Sequence, residues 1–345
     1  MFASSQGTGS FVESGYLVAS AVAPPEVAGR RGGLGGGAVA ALAGRLLGTP
    51  SLVVEAREAP PDVPWLGRSS LRDVLRDEHY TFVGGTCGSE RQPEHARAVR
   101  LVARVLAHRT HGRVADLATC RILTQPTPPP ESGTPGTPST GTGAFGLSPA
   151  EVDVVGVSPT GAGSVAAAGR VLGAGTIGTP SGGSAFGVVP SEEGVFVARD
   201  GWTAVFIDRD GDGRVRAETR GLHRFGLPEL VTRAVPYGSM LTAANLLRGL
   251  THRLLTDRLA GRAIPRPSGD GPQHHPFDPD DVLRFWGARP HHPGVTLALH
   301  LVPTPTPCAL PVCRALEVLP SSSRGDTTWW ETRAAPVIQP IVGHR

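Results

Sequence analysis

Apolar residues fill most of GYLVASAV (15–22), and this run predicts a buried strand. A Gly-rich loop follows, then GAVAALAGRLLG (37–48), a short Ala/Leu helix closed by Gly. SLVVEARE (51–58) alternates as a strand does, and after a Pro-rich link YTFVGGT (80–86) reads as another. PEHARAVRLVARVLAHRT (93–110) is the strongest helix signal. Ala98, Val102, Val105 and Leu106 recur at helical spacing, and Pro93 suits a first turn. GRVADLATCRIL (112–123) returns as one strand. The order β-α-β, β-α-β predicts a ferredoxin-like plait, an antiparallel sheet with two helices on one face. Another α/β sandwich would share that order.

Residues 1–123 therefore form a first domain. TQPTPPPESGTPGTPSTGTGAFG (124–146) holds almost nothing to bury, and a linker over 124–150 is expected to be extended or disordered. A second α+β domain is expected over 151–262. Its strands are GVFVARD (194–200), WTAVFIDRD (202–210), RVRAETRG (214–221) and PELVTRAV (228–235). GSMLTAANLLRGLTHRLLTDRLA (238–260) is a long amphipathic helix striped by Leu247, Leu250, Leu254 and Leu255. The whole reads as an antiparallel meander backed by a helix. Residues 263–345 form a loop-rich extension, with a loop over 264–281, strands at 294–303 and 313–320, and Trp329 and Trp330 packing back on the core.

Composition narrows the function classes. The 345 residues include 46 Gly and 33 Pro, which leaves only 39% hydrophobic and 18% charged residues. All 33 basic residues are Arg, but they are scattered among 30 carboxylates and the net charge is +3. A nucleic-acid protein would gather them into a patch, so no nucleic-acid partner is expected. Cys87, Cys120, Cys308 and Cys313 lack paired C-x-x-C spacing, which argues against a zinc ribbon or a disulfide framework. The first residues have no basic stretch before a short apolar run, and no run approaches the length of a membrane span. The expected setting is soluble and cytoplasmic, with no membrane partner.

FIDRDGDGRVRAE (206–218) has two readings. A calcium loop places ligands at positions 1, 3 and 5, Gly at 6 and a bidentate Glu at 12. Asp208, Asp210, Asp212 and Gly213 fit, but position 12 is Thr219, and Glu218 falls one residue early. The flanks alternate with period two, where an EF-hand needs helices. Two Asp-Gly pairs between strand-like runs favour a hairpin corner. Asp208, Asp210 and Asp212 are nonetheless the candidate metal ligands, with calcium the candidate ion and no other cofactor implied.

Other motifs are incomplete. Gly33-x-Gly35-x-x-Ala38, with Glu55 beyond, echoes a dinucleotide fingerprint, but its glycines do not follow the first strand directly. Gly156 and Gly161 have the spacing of a P-loop, yet Ala162 stands where Lys is required. Ser181 in TPSGGSAFG (179–187) lacks a recognisable histidine setting. His274, His275, His291 and His292 lie near Asp278, Asp280 and Asp281, but only a particular folding of their loops would bring them together as metal ligands.

ETRGLHRFGLPEL (218–230) and RTHGRVADLATCRIL (109–123), the latter with His111 in place of a more usual Gly, resemble segments of uncharacterised bacterial proteins known only as domains of unknown function. That resemblance implies no catalytic residue, and it supports joining the two halves into one architecture. Within the first segment Phe225, Leu227 and Leu230 are core candidates. His223, Arg224 and Glu229 are candidates for ligand or partner contact, with a structural role as the alternative.

The sequence thus supports a non-enzymatic interaction or regulatory protein, with an unknown protein or small-molecule partner. An enzyme with its site between the halves, near Arg224 and Glu229, is a second reading. A calcium module on 208–213 is a third.

Overall fold

A computed structural model describes residues 11–23, 34–60, 76–124, 196, 201–265, 272–289, 296–304, 314–320 and 328–338. The chain is mixed α and β with two sheets. The first is built from strands β1 (Phe11–Ser20), β2 (Leu52–Arg57), β3 (His79–Gly88), β4 (Arg113–Asp116) and β5 (Arg121–Thr124). Helix α1 (Ala38–Leu46) joins β1 to β2, and helix α2 (Glu94–Thr110) joins β3 to β4. The order is β2-β3-β1-β4-β5, with every neighbour antiparallel.

Alternation along the strands sets the two faces of this sheet. Tyr16 and Val18 of β1, Val83 of β3 and Val114 of β4 pack with α1 and α2, against Ala43, Val99, Val102 and Leu106. Leu17 and Ala19 turn the other way and join Ala115, Cys120 and two residues of the second sheet, Ala204 and Phe206. Helix α2 stops at His111, whose φ of 51° is the left-handed conformation that a Gly takes more easily.

The strand predicted over 112–123 is in fact two strands. Oδ1 of Asp116 accepts hydrogen bonds from the backbone N–H of Ala118 (2.9 Å) and of Thr119 (3.3 Å), and Cys120 adopts φ 54°. This local bonding gives the backbone an alternative to the ladder, so the chain turns and β5 runs back along β4.

The second sheet begins with β6 (Ala204–Arg209), β7 (Arg214–Arg220) and β8 (Glu229–Pro236), followed by helix α3 (Met240–Leu259). Ile207, Val215, Ala217 and Leu230 share a core with Leu247, Leu250 and Leu254 of α3. The expected meander backed by a helix is present, but the sheet continues beyond it. Strands β9 (Gln273–Phe277), β10 (Leu297–Thr304) and β11 (Ala315–Pro320) extend it to the order β6-β7-β8-β11-β10-β9. Among the described strands of this sheet, only the β8–β11 pair is parallel.

Residues 263–345 are thus more than a loop-rich extension, since they supply half the strands of this sheet. Strands β10 and β11 fall on predicted strands, whereas β9 lies in a segment predicted as loop. QHHPF has no alternating apolar face, and Pro276 lacks a donor for the ladder. It is tolerated because β9 pairs only with β10 and forms the sheet edge. A short helix α4 (Asp280–Phe285) follows β9. Trp329 and Trp330 do pack on the core, with ring centroids 5.0 Å apart and planes at 85°. The linker over 124–150, apart from Thr124, and strand 194–200, apart from Phe196, lie outside the described residues.

Candidate functional site at the junction of the sheets

Polar chemistry concentrates where the turn after β4 meets the connection from β7 to β8. In GLHRFG (221–226) both glycines have left-handed backbone, φ 103° at Gly221 and 70° at Gly226, bracketing a short 3-10 turn over Leu222–Phe225. Leu222 and Phe225 are fully buried and anchor the turn in the core. Arg224, between them in sequence, reaches the other sheet. Its Nη2 donates to Oδ1 of Asp116 at 2.6 Å, and its Nη1 donates to the Tyr16 hydroxyl at 3.1 Å. Neither Arg224 nor Asp116 exposes any surface. Burial disfavours the guanidinium charge, but the Asp116 carboxylate outweighs that, and the pKa of Arg224 stands above its ordinary value. Among the described residues, Nε of Arg224 and Oδ2 of Asp116 have no hydrogen-bond partner, so the pair is not forked.

An aromatic group seals this pair. Trp202 is buried against Phe225 and Phe196, with ring centroids 6.0 and 5.5 Å away. The Arg100 guanidinium of α2 lies 3.6 Å from the centre of the Trp202 ring, and that of Arg224 lies 5.8 Å from it. Both are within cation–π range.

Glu229, the first residue of β8, holds the turn from the other side. Its Oε1 accepts from the N–H of Gly221 (2.9 Å), the N–H of His223 (3.1 Å) and Nδ1 of His223 (2.8 Å). Its Oε2 accepts from the Thr219 hydroxyl at 2.8 Å, and the same hydroxyl accepts the Leu230 N–H at 2.7 Å. The His223 side chain is 15% exposed. On β7, alternation puts Arg216, Glu218 and Arg220 on one face. Both arginines pair with Glu218, and Arg220 also lies over the Phe206 ring (4.8 Å) and near Sγ of Cys120 (3.8 Å).

Of the predicted contact residues, His223 and Glu229 come together, while Arg224 points away from both toward Asp116. Asp208 lies in β6 opposite Arg216 of β7, and Asp210 and Asp212 lie in the turn of that hairpin. Asp210 donates its N–H to the Arg214 carbonyl (2.9 Å), and its Oδ2 accepts the N–H of Ala234 (2.8 Å). Gly211 and Gly213 take φ 78° and 73°. Among the described residues no group of three or more His, Cys, Asp or Glu side chains is placed to hold a metal ion.

Of the four loop histidines, His291 and His292 lie outside the described residues. His274 and His275 stand on β9, and His274 meets His300. Gly33, Gly156, Gly161 and Ser181 also lie outside. The sequence reading missed Tyr16, Asp116 and Trp202. For Asp116 a local signal existed, an Asp at the end of an apolar run with Ala118 and Thr119 two and three places on, which suits an Asx-turn.

No family model, curated protein or solved structure matches the chain. Among the described residues no helix is long and apolar enough to cross a membrane.

Proposed function

We propose that this chain is a non-enzymatic interaction protein, and that the buried junction makes its two sheets one platform. One observation carries the reading: the charged groups of the junction engage one another. Arg224 and Asp116 expose no surface, and Glu229 is saturated by four donors. Side chains used this way are held in place and are not available to a substrate. The apolar groups left in water support the same reading. Tyr237 (51% exposed) lies in the 3-10 turn that leads into α3, and Leu241 (36%) in the first turn of α3.

The N-terminal sheet is read as a ferredoxin-like plait with one added edge strand. The antiparallel order β2-β3-β1-β4, with α1 and α2 on one face, supports this. Cys87 and Cys120, the two cysteines among the described residues, are both free thiols, as suits a reducing compartment.

A second reading, an enzyme acting between the halves, draws on the His223–Glu229 pair. A carboxylate on Nδ1 with a partly exposed ring is the arrangement of an oriented general base. Two measurements on wild type and His223→Ala separate the readings. An interaction protein purifies from its own cells with a stoichiometric partner, and retains it in the variant. Turnover of a model ester, phosphate or amide by wild type, abolished in the variant, would overturn the first reading in favour of the second.

A further inference from the structure

His274 on β9 and His300 on β10 stand directly opposite in the antiparallel register. Two places along, Pro276 faces Ala298. Proline has no N–H, so that position cannot exchange a pair of ladder bonds. Hydrogen-bonded and open pairs alternate along an antiparallel ladder, and His274–His300 falls in the same open class as Pro276–Ala298. In open pairs the side chains come closest. Here Nδ1 of His274 and Nε2 of His300 share a hydrogen bond of 3.1 Å, whose proton a metal ion would displace, with ring centroids 4.2 Å apart and planes at 85°.

That nitrogen separation has chemical content. An imidazole nitrogen binds zinc at about 2.0–2.1 Å, so two of them on one ion lie about 2.9 Å apart at a right angle and about 3.3 Å apart at the tetrahedral angle. The observed spacing lies between these values. His274 is exposed on the edge strand and His300 is half-buried on the strand beside it, so an ion can approach from the His274 side and water can complete its coordination. Among the described residues no carboxylate or thiol joins them in a set of three, and the two donors in place are imidazoles. Imidazole selects borderline transition metals over calcium or magnesium, which require oxygen.

We propose that His274 and His300 form a two-histidine site for a divalent transition-metal ion of the zinc, nickel or copper kind. The ion bridges β9 to β10 and fastens the edge strand to its sheet. Both imidazoles must bind through a deprotonated nitrogen, so acidification competes with the metal.

The test is calorimetric titration of the full chain with zinc chloride, beside His274→Ala and His300→Ala, with the copper(II) adducts examined by electron paramagnetic resonance. Zinc binding should weaken at least tenfold in either variant. The copper spectrum should show two coordinated imidazoles in wild type and one in each variant. Zinc should raise the melting temperature of wild type and of neither variant, because an ion that binds only the folded state stabilises it. His223→Ala should behave as wild type. Should an alanine variant lose its circular dichroism spectrum, His274→Gln or His300→Gln replaces it. Absence of zinc binding in wild type, or binding equally tight in both variants, overturns the proposal, and the latter result assigns the ion to other histidines.

Discussion

Arg224, in the turn before β8, and Asp116, at the end of β4, are 108 residues apart in sequence and meet at 2.6 Å with neither side chain reaching water. Removing one partner of such a pair leaves a buried charge uncompensated. Arg224→Met should therefore lower the unfolding free energy by about 3–5 kcal/mol. Asp116→Asn keeps an acceptor for the turn but strands the buried Arg224 guanidinium, which cannot shed its proton, and should cost at least as much. The double variant should recover part of the loss, and a double-mutant cycle by urea denaturation measures the coupling.

Glu229 satisfies the N–H groups of Gly221 and His223 as well as two side chains. Glu229→Ala leaves those buried donors without an acceptor, at about 1–3 kcal/mol each where water cannot reach them. The local signature is more specific than the global loss. Amide exchange at Gly221 and His223 should accelerate well beyond that of residues in α2.

Two glycines with similar backbone should respond differently to alanine. At Gly221 (φ 103°) a Cβ would run into the carbonyl oxygen of Trp202 and press on Thr119. At Gly211 (φ 78°) nothing lies within 4 Å. Gly211→Ala should cost only the left-handed strain, about 1–2 kcal/mol. Gly221→Ala should cost more and should disturb the indole fluorescence of Trp202.

Acid should weaken the fold before it protonates exposed carboxylates. Burial holds the imidazoles of His95, His252 and His275 below their ordinary 6.5. As pH falls through 6.5 the unfolded chain takes up protons that the folded chain refuses. The stability from these groups is complete above 6.5 and is lost toward their lower folded values. His275 is flanked by Arg253, Asp257 and Asp281. Burial raises the Asp281 carboxyl above 3.8, and its sign is opposite: the folded state protonates first, so stability is regained as pH falls through that raised value. The melting temperature should decline as pH falls below 6.5, and His275→Gln should flatten the decline.

Elements with a strong local period were legible in the sequence. Helix α2, helix α3 and strands β1 to β3 show their spacing in the residues themselves, and the hairpin shows Asp-Gly at its turn. Phe225, Leu227 and Leu230 all proved to be core. Features set by partners distant in sequence were not legible. Nothing near Arg224 identifies Asp116, because the pair forms only when the two sheets meet. The same holds for His274 and His300, where register decides and the letters QHHPF suggest a loop. Asp116 ends the short apolar run of β4, and there a side-chain bond to the backbone outweighs strand propensity.

Strand β11 lies between β8 and β10, with Ala315 beside Glu229 in the one parallel pairing among the described strands of its sheet. A ribosome releases the hairpin of β6, β7 and β8 long before β11 emerges. Until translation passes Pro320, the nascent β8 keeps one bare edge, open to any other strand. The topology thus leaves the nascent chain with an aggregation-prone edge that only its own C-terminal residues can cover. Premature stops upstream of Ala315 should accordingly yield aggregating products even though the Asp116–Arg224 pair is fully encoded.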